Sequence, residues 1–67
     1  MEKTKRLTEI AQRMRQISKE MNVLLIASSV ATTEEEYLSI KQKADVLMFE
    51  SKRLYTESAM LVTDQIN

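Results

Sequence analysis

The chain contains neither glycine nor proline. Tight hairpin corners, turns that need a positive φ and phosphate-cradling loops all draw on those residues, so a fold of many short strands has nothing to turn with. What is left for 67 residues is a fold with very few corners. The spacing of apolar side chains says which. Leu7, Ile10, Met14, Ile17, Met21, Leu24, Ser28 and Ala31 follow one another at alternating steps of three and four. That stepping is the seam of a helix packed lengthwise on another helix. Tyr37, Ile40, Ala44, Leu47, Ser51, Leu54, Ser58 and Leu61 repeat it. Neither half shows the alternation of a half-buried strand, and both are rich in Glu, Lys, Gln, Arg, Met, Leu and Ala, the better helix formers.

Between the two runs lies Ala31-Thr32-Thr33-Glu34-Glu35-Glu36. Thr33 is placed to accept from the backbone N–H three residues on while Glu36 reaches back to it, a capping box; Thr32 with Glu35 is the alternative register. The successive carboxylates also meet the positive end of the helix dipole. The second helix is therefore expected to begin at Thr33 or Glu34, and the first to end near Ala31 without a glycine C-cap. A connection this short turns the helices antiparallel. The expected fold is all-α: a single domain over 1–67, an antiparallel two-helix hairpin with helices over about 4–31 and 34–65. Each arm is roughly 40 Å long at ~1.5 Å per residue. The hairpin seam comprises Leu7, Ile10, Met14, Ile17, Met21 and Leu24 against Tyr37, Ile40, Ala44, Leu47, Leu54 and Leu61. Along the second run, large residues alternate with the small Ala44, Ser51 and Ser58, which lets facing layers interdigitate.

A hairpin buries one stripe per helix, and a single core in a chain below about 70–80 residues supplies only ~3–5 kcal/mol. There is no cysteine to add a disulfide. Yet the apolar residues exceed one stripe. Val23, Ile26 and Val30 lie on the far side of the first helix, Val46, Phe49 and Met60 on the far side of the second, and Leu25, Met48, Tyr55 and Val62 widen the main seam. Exposed groups of this kind mark interaction sites. The hairpin is therefore expected to complete a four-helix bundle, by dimerising or by packing on a helical partner, with Val23, Ile26, Val30, Val46, Phe49 and Met60 as partner-binding residues.

The residue inventory points away from catalysis. Without cysteine or histidine the chain lacks thiolate ligands, the commonest metal ligand and the commonest general base. Glu34-Glu35-Glu36 is the one dense acidic group, and capping accounts for it. No catalytic residue, metal site, cofactor or small-molecule substrate is expected. The most apolar run, Val23 to Ala31, is interrupted by Ser28 and Ser29 and falls short of the ~18 residues a membrane span needs. No signal-peptide pattern is present, so a cytoplasmic location is expected, in keeping with the absence of cysteine. Ten acidic side chains balance ten basic ones, although residues 1–20 carry Lys3, Lys5, Arg6, Arg13, Arg15 and Lys19 against Glu2, Glu9 and Glu20. These cations fall at several angles around a helix, Glu9 and Arg13 are spaced as an i,i+4 pair, and no aromatic lies among them to stack on a base. A solvated helix face fits them better than a nucleic-acid footprint.

Glu35-Glu36-Tyr37, followed by Gln42, Ala44 and Leu47, resembles the opening of the second helix in the small needle-subunit co-chaperones of bacterial type III secretion systems. The resemblance covers that stretch alone, and the turn before it carries no glycine or proline. It implies a cytoplasmic, non-enzymatic hairpin that pairs with a larger helical-repeat chaperone and helps keep the needle subunit unpolymerised before export. Tyr37, Ala44 and Leu47 are the matching positions and would belong to the packed face. The overall plan also resembles the Rop-type plasmid copy-number regulators, hairpin dimers that bind paired RNA loops; that likeness would give the RNA-facing role to Lys3, Lys5, Arg13 and Lys19. A small phage- or plasmid-encoded inhibitor docking on a host protein is a further alternative.

Overall fold

The computed structural model describes residues 2–66, with side chains from Glu2 to Thr63. Two helices account for nearly all of it: α1, Glu2–Val30, and α2, Glu34–Ile66, folded back on each other as an antiparallel hairpin. No strand occurs among the described residues. The helix limits lie within two residues of those expected from the sequence. The long axis measures 51 Å and matches α2, whose 33 residues rise about 50 Å; the arm length of about 40 Å fits α1 alone.

Local chemistry sets the turn. Thr33 is the N-cap of α2: its Oγ1 accepts from the Glu36 N–H at 3.2 Å, and its carbonyl accepts the first helical bond from the Tyr37 N–H at 3.2 Å. The Glu36 carboxylate reaches back to the N–H of Thr32, at 3.3 Å, and not to that of Thr33, so the reciprocal half of the box closes one residue early. Glu34, Glu35 and Glu36 fill the first turn, at the positive end of the dipole. On the other side, the hydroxyls of Ser28 and Ser29 donate to the carbonyls of Leu25 and Ile26, at 2.7 and 2.6 Å. Such back-bonding weakens the last turn of a helix, and the β-branched Val30, Thr32 and Thr33 follow it. No described residue has a positive φ, so α1 ends without a left-handed cap.

Among the described residues the core is a single line of four side chains. Ile10 and Ile17 of α1 pack with Leu47 and Leu54 of α2, while Met14, Met21, Leu24 and Leu61 lie partly buried against them. Leu7, Ile40 and Ala44 are half-buried. Tyr37 departs from the expected seam: it is 51 % exposed. Its ring stands one turn into α2, beside the small Ser28, and lines a groove with Leu25 and Met21 instead of being covered. Leu25, Met48, Tyr55 and Val62 are likewise exposed and do not widen the seam's interior; the first three line grooves on its open side.

Candidate interaction surface

Viewed down the seam, the hairpin has two unlike edges. Arg6, Arg13, Glu20 and Ala27 of α1, and Glu36, Lys43, Glu50 and Glu57 of α2, each sit one residue before a seam position and repeat every seven residues. Arg13 clasps Glu50 through two parallel bonds, Nε to Oε2 at 2.6 Å and Nη2 to Oε1 at 2.8 Å. Arg6 clasps Glu57 in the same way, at 2.5 and 2.8 Å. Fork-to-fork geometry of this kind fixes orientation as well as distance. The hydrogen bond from each guanidinium, with its charge, holds the Glu50 and Glu57 carboxyls below the usual carboxylate range against a smaller opposing effect of desolvation. Both arginines are raised for the same reason.

Spacing along a single helix does not reveal these clasps. Spacing pairs Arg13 with Glu9, but it is held by Glu50, with Gln16 at 3.3 Å and Glu20 at 3.7 Å as its neighbours, and Glu9 lies 4.0 Å from Arg6. The cross-helix partner wins because a bidentate clasp over a half-buried edge gains more than a solvated pair along one helix. One heptad nearer the turn the polarity reverses, with Glu20 on α1 and Lys43 on α2. There the edge is not clasped. Glu20 and Lys43 flank a groove of about 470 Å³ floored by Val23, Leu24, Val46 and Leu47.

The opposite edge has no ion pair bridging the helices among the described residues. Its walls are Ser18 and Leu25 of α1 and Met48 and Tyr55 of α2. Between them runs a groove of about 600 Å³ over Met14, Ile17, Met21 and Ser51, with Lys52 on its rim. Met21 carries it into a second depression of about 210 Å³ toward the turn, bordered by Leu24, Leu25, Ser28, Tyr37, Ile40, Lys41 and Ala44. The small residues of α2 create this groove: where Ala44 and Ser51 stand, the facing methionines are left partly uncovered.

The residues expected to bind a partner are all exposed, but they do not form one surface. Val23 and Val46 meet in the groove beside Glu20 and Lys43. Phe49 and Met60 line a shallow depression on the outer face of α2 with Lys52, Arg53, Thr56 and Glu57. Ile26 and Val30 stand exposed on α1. Among the described residues no group of acidic side chains is arranged to hold a metal ion, and no helix is long and apolar enough to cross a membrane. Of the positions that the Rop-like reading gives to RNA, Arg13 is occupied by Glu50. Comparison with family models, with curated proteins and with solved structures finds nothing that matches this chain, which leaves its surfaces as the guide to function.

Proposed function

We propose that this protein is a non-catalytic protein–protein interaction module, a cytoplasmic helical hairpin that completes its core by binding another helical surface. One observation carries the reading: four side chains are buried while twelve large hydrophobic ones remain exposed among the described residues. Scattered exposed hydrophobes are ordinary, but here they outnumber the core, and six of the twelve line the grooves between the helices. A bundle of three or four helices is the arrangement that covers such grooves. The co-chaperone resemblance is one form of this reading, with a larger helical chaperone as the partner. Of its matching positions Leu47 is buried, Ala44 half-buried, and Tyr37 at the mouth of a groove where a partner would reach it.

The test is stability against concentration and partner. Sedimentation and thermal melts in dilute solution should show a weakly stable chain whose melting temperature rises steeply on self-association or on addition of its partner. A sturdy monomer in which Val23, Ile26, Val46 and Phe49 accept charged residues with no loss of any association refutes the reading.

A further inference from the structure

The two edges of the seam differ in charge as well as in closure. Along the clasped edge, Glu50 and Glu57 are matched by Arg13 and Arg6. Along the open edge, Lys52 borders the larger groove and Lys41 the smaller one, and neither makes an ion pair among the described residues. Arg15, one turn before Ser18, adds a third cation to that flank; its carboxylates among the described residues are Asp45, between Lys41 and Met48, and Glu34, seven residues before Lys41 at the turn end. The floor is methionine and small residues, a surface that re-packs around inserted side chains.

Resting on the interaction-module reading, we propose that the open edge receives an amphipathic α-helix whose apolar stripe is bordered by acidic side chains, laid lengthwise as a third helix. The helix-in-groove mode supplies the apolar anchors at i, i+3, i+4 and i+7. Lys41 and Lys52 are separated by about three helical turns, roughly 16 Å along the axis, so carboxylates eleven residues apart on the incoming helix meet both. A second copy is the poorer occupant of this edge. A two-fold interface sets a surface against itself, and here it would bring Arg15, Lys41 and Lys52 into the company of the same three cations, with Asp45 in the middle of the edge and Glu34 at its turn end to oppose them, an excess of positive charge. A phosphate backbone would satisfy the lysines but leave the methionine floor in water.

The experiment uses three synthetic helical peptides with identical apolar stripes, flanked by Glu, Gln or Lys, titrated into the isotope-labelled full chain at low salt and followed by NMR. The Glu peptide should bind about ten-fold tighter than the Lys peptide, with the Gln peptide between them. Shifts should concentrate at Met48, Ser51 and Tyr55, the preference should fade with added salt, and K41E/K52E should reverse the order. Equal affinities, or shifts confined to Phe49 and Met60, overturn this proposal and leave the interaction-module reading standing. Self-association abolished by M48E/Y55E, with no peptide bound, overturns it in favour of a second copy. A monomer that binds none of the three overturns it too, and sedimentation with the charged variants at Val23, Ile26, Val46 and Phe49 then decides the broader reading separately.

Discussion

Replacing Leu54 by alanine should remove most of the stability this hairpin has. Leu54 is 5 % exposed and packs in the same buried line as Ile10, which is 2 % exposed. A Leu→Ala change in a core costs about 2–5 kcal/mol, made up of lost transfer energy and the cavity left behind. Here the seam is only two helices thick and open along one edge, so neighbouring methionines move into part of the space. That places the loss in the lower half of the range, about 2–3 kcal/mol. Against a total of ~3–5 kcal/mol for a core of this size, the variant is left barely folded. With about 4–8 °C per kcal/mol in a chain this short, the melting temperature should fall by roughly 10–20 °C. Far-ultraviolet circular dichroism measures it, at two protein concentrations so that association is separated from folding. Phe49→Ala is the control: a larger side chain on the same helix, 73 % exposed, whose loss should change stability by no more than about 0.5 kcal/mol. If the two variants melt together, or if Phe49→Ala is the worse, α2 does not present Leu47 and Leu54 to α1 and the register described above is wrong.

Acid should weaken the fold through the clasped edge. Because Glu50 and Glu57 titrate below the usual carboxylate range when folded, the stability they add is complete above that range and is lost as pH falls through the lowered values; E50Q/E57Q should flatten this acid limb, and an unchanged limb would refute the assignment. Thr33→Ala should cost about 1 kcal/mol by removing the Oγ1 acceptor of the Glu36 N–H, whereas Thr32→Ala, which keeps the backbone N–H used by Glu36, should cost clearly less in the same melts; equal losses would place the cap elsewhere.

The seam and the turn were legible because both are written locally. Steps of three and four mark a buried stripe whatever lies across from it, and a threonine followed three residues later by glutamate needs nothing beyond its own turn. What was not legible belongs to the second helix as seen from the first. Arg13 has Glu9 four residues away and Glu50 thirty-seven away, and only the register of the folded pair shows that the distant carboxylate is the nearer one. Periodicity puts Tyr37 on the seam, but whether a ring is covered depends on what the facing helix offers at that height, and Ser28 is too small. Angle alone puts Val23 and Val46 on the far sides of the two helices, but they line a groove between them beside Glu20 and Lys43, where the edge is not clasped, whereas Phe49 and Met60 do lie on the outer face of α2. The repeat of arginines and glutamates at seven-residue intervals was the available signal for the clasped edge, and only comparing the two helices in antiparallel order brings it out.

The three non-helical residues from Ala31 to Thr33 also shift the phase of the heptad count between the two helices. Were they to straighten into helix, the stepping of α1 would run on through Glu35, Leu38, Gln42, Asp45 and Phe49, and not through Tyr37, Ile40, Ala44 and Leu47. A continuous rod trading halves with a twin would thus turn Leu47 and Leu54 toward solvent and press Gln42 and Asp45 inward. The bend is a skipped beat in the heptad count, and a rod running straight through it could not keep both halves of the seam on one side.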